Sequence, residues 1–118
     1  MKSGIVYKMY KQGEIVVVPF PFSDLSSIKQ RPVLILSKNI DNDSSEDIIS
    51  CGMTSNIKDL KYSILVENKD LIEGNIPKPS RIKVDKLFTI SQNIINKKVA
   101  RINKETFEKV KSEFFRLV

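Results

Sequence analysis

The segment most informative about the architecture is Gly13-Glu14-Ile15-Val16-Val17-Val18-Pro19-Phe20-Pro21-Phe22, followed after a polar loop by Lys29-Gln30-Arg31-Pro32-Val33-Leu34-Ile35-Leu36-Ser37. Both runs are rich in β-branched and other apolar residues, which predicts strands over 14–19 and 32–37. Because proline donates no hydrogen bond to a neighbouring strand, the first strand should end, or lie at a sheet edge, at Pro19 and Pro21. Residues 23–30 should form a loop between the two strands.

The rest of the chain continues this pattern of short strands. Further strands are expected over 47–53, 62–66, 80–89 (with a bend) and 99–102. A polar turn is expected at 38–46 and a helical turn at 68–74. The sequence therefore predicts a mainly β fold, a small and mostly antiparallel barrel with one terminal helix. The length of 118 residues predicts a single domain, 1–118.

The clearest helix is the C-terminal one. Asn103 is a favourable N-cap, and Phe107, Val110, Phe114 and Leu117 recur every three or four residues to form one apolar stripe. Such a stripe could contact a membrane, but the helix is short and its other face is mixed, so packing on the sheet is the better interpretation.

Composition excludes several classes of chemistry. The chain has 20 Lys and Arg against 14 Asp and Glu, a net charge of +6, which favours polyanions such as nucleic acids. It has no histidine, which excludes His-based general bases and nucleophile triads, and with one cysteine it also lacks the common zinc ligand sets. Cys51 is expected to be a buried thiol in a reducing compartment. No apolar run has the length of a signal-peptide core or a membrane span, so we expect a cytoplasmic location and no membrane partner.

Two polar positions at strand ends are candidate site residues. Arg31 offers a rigid fork of donors next to Pro32, which stiffens the backbone and suits a phosphate clamp, although a surface ion pair would explain it equally well. Thr54, in Thr54-Ser55-Asn56, could bind a phosphate oxygen or could simply form a turn. The loop with Ser26, Ser27 and Lys29 could line a nucleic-acid groove. Phe88 is a possible stacking residue that we expect to serve mainly in packing.

These motifs, taken in order, resemble the MazF/PemK toxins of bacterial toxin–antitoxin systems. That family has a G-[DE]-[IV] strand, an R-P-[AV] strand, a strand ending in Thr-Ser/Thr and a later S-x-[VI]-x-x-D-Q-[LI]-x-T-I segment. The corresponding residues here are Gly13-Glu14-Ile15, Arg31-Pro32-Val33, Thr54-Ser55 and Ser80-Arg81-Ile82-Lys83-Val84-Asp85-Lys86-Leu87-Phe88-Thr89-Ile90. The sequence departs from the pattern at Lys86, at Ser91 and at Phe88, where a basic residue is common. No Glu precedes Arg31 in the loop.

The resemblance implies an SH3-like β-barrel of the MazF/PemK/CcdB type with its core over 12–117, a homodimer and a cognate antitoxin partner. It implies a toxin that acts as an endoribonuclease (mRNA interferase), cutting single-stranded RNA at short sequences without metal or cofactor, and leaving 2′,3′-cyclic phosphate and 5′-OH ends. Arg31 and Thr54 would be the catalytic pair, and Ser26, Ser27, Lys29, Ser55 and Asn56 would contact the substrate. The alternative is a non-catalytic nucleic-acid- or protein-binding barrel, because this fold hosts many functions.

Overall fold

The computed structural model describes residues 10–21 and 28–118. Within these residues the chain forms seven strands and two α-helices, with short 3₁₀ turns at 68–70 and 92–94. The elements are β1 (Glu14–Pro21), β2 (Ile28–Ile35), α1 (Asn39–Ser44), β3 (Asp47–Thr54), β4 (Ser63–Val66), β5 (Leu71–Gly74), β6 (Ser80–Ser91), β7 (Lys97–Ile102) and α2 (Lys104–Leu117).

The strands form one curled sheet in the order β4-β6-β3-β2-β1-β7-β5. All neighbouring strands are antiparallel. The sheet curls into a half-barrel, and α2 follows it at the C-terminus. The predicted class, mainly β with a C-terminal helix, is confirmed.

The core lies on both faces of the central strands. One cluster contains Ile15 and Leu34 together with Val110 of α2, and the other contains Val16, Val18 and neighbouring aliphatic residues. Because both faces of β1 and β2 are covered, these strands are nearly continuous apolar runs and do not alternate between apolar and polar residues. This double burial gives β1 and β2 a rigid setting for the residues at their ends.

The C-terminal helix begins as predicted. The Asn103 side chain accepts a hydrogen bond from the Thr106 backbone N–H at 2.8 Å, so Asn103 is the N-cap. Val110 is fully buried, and Phe107 packs against the same cluster, so the apolar stripe packs on the sheet. No helix in the described part of the chain combines the length and the apolar character needed to cross a bilayer.

The hairpin of β1 and β2 extends further than predicted. Residues 28–30 belong to β2, where Lys29 pairs with Phe20 and Gln30 with Pro19, so the predicted loop over 23–30 is too long at its C-terminal end. On its other side β1 pairs with β7 only as far as Val17. At both prolines β1 therefore has one partner strand, as their missing N–H groups require.

The expectation of a plain turn at 38–46 is wrong, because α1 occupies 39–44. The side chain of Asn42 is fully buried there and donates to the Tyr10 carbonyl at 3.2 Å and the Ser37 carbonyl at 3.0 Å. It also accepts from the Ser37 hydroxyl at 2.6 Å. Because the buried amide of Asn42, and not an apolar stripe, holds α1 in place, the sequence of α1 has no apolar period that would predict a helix.

The predicted helical turn at 68–74 is also wrong beyond its first residues. Only Asn68–Asp70 form a 3₁₀ turn, and β5 follows and pairs with β7. Gly74, in β5, has a φ of +70°, and a Cβ there would lie 2.1 Å from the Val99 carbonyl oxygen. Gly74 therefore does not end a helix but permits the close approach of β5 and β7.

The bend expected in the fifth predicted strand is present in β6. Cys51 pairs with Leu87, but the next residue of β3, Gly52, pairs with Lys83, so three residues of β6 are left out of the pairing. Cys51 itself is fully buried, as predicted. Burial raises the pKa of its thiol to about 12.

Candidate functional site

The register of β2 and β3 brings Arg31 and Thr54 together. Val33 pairs with Gly52, and in an antiparallel pair the partners two residues further along are Arg31 on β2 and Thr54 on β3. Regular pairing of β2 with β3 stops before these positions, so Arg31 and Thr54 occupy corresponding positions where the two strands separate. Two residues far apart in sequence are thus brought to one region of the sheet by the strand register.

Both residues line one cavity of about 630 Å³, which we call the Arg31 cavity. It is defined here by Arg31, Pro32, Thr54, Ser55, Lys78 and Lys97. Its inner wall is apolar and includes Ile15, Val17 and Met53, whereas its polar groups converge from β2, β3, β7 and the segment before β6. An apolar cavity with a few convergent polar groups is the usual form of a binding site.

Thr54 has a defined local geometry. Its hydroxyl oxygen accepts a hydrogen bond from the Asn56 backbone N–H at 3.1 Å, while the Asn56 side chain accepts from the Lys58 N–H at 3.2 Å. This turn occupies an acceptor site of the Thr54 hydroxyl, and the hydroxyl proton can still be donated to an anion.

The other predicted substrate residues differ in position. Ser55 lines the Arg31 cavity, whereas Asn56 belongs to the turn and Lys29 is an exposed residue of β2, and neither of these two is a lining residue. Ser26 and Ser27 lie outside the described residues.

The basic side chains divide into two groups. Arg81 donates to the Ser63 hydroxyl at 2.8 Å and pairs with Asp59 at 3.1 Å. Glu73 pairs with both Lys98, at 2.8 Å, and Arg101, and the hydrogen bond between Glu73 and Lys98 lowers the pKa of the carboxyl and raises that of the ammonium. These cations stabilise the fold and are engaged by carboxylates.

The second group of cations faces the cavities. Within residues 10–21 and 28–118, no ion pair involves Lys78, Lys83, Lys86 or Lys97. Lys78 and Lys97 line the Arg31 cavity, and the other two line an adjacent pocket. Several lysines without a carboxylate partner among the described residues therefore line the cavity and the adjacent pocket that Arg31 also lines.

The adjacent pocket, of about 210 Å³, is called here the phenylalanine pocket. It is lined by Phe20, Phe88, Gly52, Lys83 and Lys86, and it shares Arg31, Pro32 and Met53 with the Arg31 cavity. Arg31 thus stands between two depressions of different chemistry, one polar at its rim and one aromatic.

Sequence reasoning missed several amide side chains in the Arg31 cavity. Gln30, Asn75 and Asn96 all line it, and the Asn96 amide donates a hydrogen bond to the Gln30 side-chain oxygen. Gln30 was assigned to a loop, and Asn96 precedes a strand that was expected to begin only at Val99. In the structure β7 begins at Lys97 and pairs with β1. A prediction of this longer strand would have placed Asn96 and Lys97 beside β1.

Metal ligands are not brought together in the described part of the chain: no three Cys, Asp or Glu side chains there lie close enough to hold an ion. The cations around Arg31 instead make both depressions suited to an anion.

Comparisons with known proteins show the family and the fold. A model of the PemK-like, MazF-like toxin of type II toxin–antitoxin system matches residues 11–118. A search of curated protein sequences gave no match.

Solved structures show the same fold. A MazE–MazF structure from Deinococcus radiodurans (form II) is 16% identical, covers 93% of this chain and 96% of that chain, and has a TM-score of 0.75. An endoribonuclease from a mycobacterial species is 15% identical, with coverages of 93% and 91% and a TM-score of 0.72. The Mycobacterium tuberculosis toxin MazF-mt6 is 17% identical, with coverages of 87% and 93% and a TM-score of 0.70. The family model spans nearly the whole chain, and the chain belongs to the PemK/MazF family of type II toxin–antitoxin toxins.

Proposed function

We propose that this toxin is a metal-independent endoribonuclease that cleaves single-stranded RNA at short sequences. The observation that carries the proposal is that Arg31 and Thr54 occupy corresponding positions on β2 and β3 and line one cavity, which Lys78 and Lys97 also line. An anionic strand would be drawn to this cavity, and its phosphate would meet a guanidinium and a hydroxyl from opposite sides.

RNA supplies its own nucleophile, which suits a chain without histidine. The 2′-oxygen attacks the adjacent phosphorus, the bond to the 5′-oxygen breaks, and the products carry a 2′,3′-cyclic phosphate and a 5′-OH. The 2′-OH loses its proton and the leaving oxygen gains one. The protein has to align the strand and stabilise the extra charge of the pentacoordinate phosphorane.

The two side chains would divide this task. Arg31 would hold two phosphate oxygens with parallel hydrogen bonds, since a guanidinium keeps its charge and fits such a pair of oxygens. Thr54 would donate its hydroxyl proton to a non-bridging oxygen. Ser55, which lines the cavity, would contact the neighbouring nucleotide, and we retain Ser26, Ser27, Lys29 and Asn56 as proposed contacts further along the strand.

The direct test is to incubate the purified protein with a long single-stranded RNA in excess EDTA and to map the product ends. We expect discrete cuts with 5′-OH ends and cyclic phosphates, at an unchanged rate when the chelator is present. Loss of cleavage in EDTA would refute the metal-free reaction. RNA that is bound but left intact would favour the alternative of a non-catalytic binding barrel.

Partners follow from the family. The solved relatives include MazE–MazF structures, and an antitoxin segment rich in Asp and Glu would complement the lysines beside Arg31, which have no carboxylate partner within residues 10–21 and 28–118. A homodimer is also proposed, because the described surface exposes large apolar side chains at Ile49 and Leu87 that a second copy would cover. The reducing cytoplasm is the proposed location, in keeping with the free thiol of Cys51.

A further inference from the structure

The phenylalanine pocket contains an aromatic pair with one half-buried and one exposed member. The ring centroids of Phe20 and Phe88 lie 5.1 Å apart with the planes inclined at 47°. Phe20 packs against the second core cluster, whereas Phe88 keeps 36% of its surface exposed. A large aromatic ring is thus supported from below and accessible from the solvent side.

The position of Phe88 is fixed by its surroundings. In the β3–β6 pairing Phe88 lies opposite Ser50, whose buried hydroxyl donates to the Phe88 carbonyl at 3.1 Å. At Gly52 the pocket has a floor of bare backbone, since a Cβ there would touch the Phe88 ring at 3.4 Å. The ring needs no rearrangement to receive a flat ligand, which reduces the entropy cost of binding.

The rim of the pocket is cationic. Lys83 and Lys86 line it without a carboxylate partner in the described chain, and Arg31 is shared with the Arg31 cavity. The volume of 210 Å³ is below the range of about 300–1,000 Å³ that is typical of small-molecule sites. The pocket suits one flat ring whose attached groups are anionic and remain outside.

We propose that the phenylalanine pocket binds one nucleobase of the RNA, next to the phosphate that Arg31 holds. The base stacks on Phe88, and Lys83 and Lys86 contact the backbone of the same nucleotide. Aromatic faces beside cations are the usual platform for single-stranded nucleic acid, and stacking on them tolerates any base. This inference rests on the proposed function and gives a role to the residue that stands where relatives commonly have a basic one.

The chain has no tryptophan, so Phe88→Trp introduces a single fluorescent reporter into the pocket. The probe is a short oligonucleotide with 2′-O-methyl groups, which removes the nucleophile and prevents cleavage. The control probe has the same backbone with abasic sites, and the control variant is Phe115→Trp, which places the reporter on the exposed part of α2. We expect the normal probe to quench the Phe88→Trp signal, and the abasic probe and Phe115→Trp to show little change. Equal quenching by both probes would overturn the proposal.

A second comparison uses affinity and does not depend on the reporter. Phe88→Leu keeps the apolar bulk but removes the stacking face, so it should bind the 2′-O-methyl probe about 5- to 150-fold more weakly, whereas Phe88→Tyr should bind like the original protein. Thermal melting of each variant checks that the fold is intact. If the original protein cleaves RNA and Phe88→Leu binds with unchanged affinity, the pocket proposal is wrong and the proposed function stands. If the original protein neither binds nor cleaves RNA, both are overturned.

Discussion

Arg31 owes its position to the residue that follows it. The ring of Pro32 fixes its own φ and biases Arg31 towards extended backbone, so the strand conformation persists to the point where β2 leaves β3. Pro32 also lines both depressions beside Arg31. The sequence was sufficient to single out Arg31 and Thr54, because Arg31 directly precedes one recognisable apolar run and Thr54 follows another. It could not place them opposite each other, since that depends on the strand register.

The exposure of Phe88 could not be predicted from the local sequence. In the sequence it looked like a packing residue, and it does contact Phe20. Its exposure follows from the break in the β3–β6 pairing, where Gly52 meets Lys83 and three residues of β6 are left out. No local pattern gives the size of such a break, so a pocket between Phe20 and Phe88 could not be predicted.

Cys51 gives a prediction about the pH dependence of stability. Burial raises the pKa of the folded thiol to about 12, from an ordinary value of 9.0. Below pH 9 both the folded and the unfolded chain keep this proton. Between pH 9 and 12 the unfolded chain loses it first, so the free energy of unfolding should fall as pH rises, by at most about 1.4 kcal/mol per pH unit from this group.

Urea denaturation across this range, with Cys51→Ala as the comparison, measures the effect. The alanine variant should start from a lower stability, because a small cavity replaces the thiol, but its stability should fall less steeply with pH. Parallel slopes for the two proteins would show that the Cys51 thiol does not carry this dependence.

Among the elements, β5 and α1 were the two that sequence patterns failed to predict. Four residues, Leu71–Gly74, are too few to show alternation, and α1 is held by the buried amide of Asn42. The long strands were predicted from their runs of β-branched and other apolar residues, and α2 was predicted from the period of its apolar stripe and a good N-cap. Elements that depend on buried polar contacts, or on the close approach of two strands, cannot be predicted from local sequence patterns.

The contact between β5 and β7 predicts a sensitive glycine. Gly74→Ala would put a Cβ within 2.1 Å of the Val99 carbonyl oxygen at a φ of +70°, so strain and overlap should lower the free energy of unfolding by about 3 kcal/mol or more. The matched control is Gly52→Ala, where φ is not positive and the nearest atom is a side-chain carbon at 3.4 Å. Chemical denaturation of the two variants should rank Gly74→Ala as clearly the less stable. Equal losses would mean that β5 can move away from β7.

For the molecule as a whole, the distribution of charge matters more than its sum. The net charge of +6 is modest for a chain of this length. Carboxylates engage Arg81, Lys98 and Arg101 around the sheet, whereas the lysines that line the two depressions beside Arg31 have no carboxylate partner among the described residues. On the proposed function, a polyanion would be drawn to this region, where the Arg31 cavity and the phenylalanine pocket adjoin.

The central claim is that Arg31 in its cavity cleaves RNA, and a rate comparison tests it most directly. Cleavage of one RNA in EDTA is timed for the original protein, for Arg31→Ala and for Arg116→Ala, which removes an exposed arginine from the end of α2. The account predicts a rate at least about 100-fold lower for Arg31→Ala, with unchanged melting temperature, and a normal rate for Arg116→Ala. Equal cleavage by the original protein and a folded Arg31→Ala would contradict it.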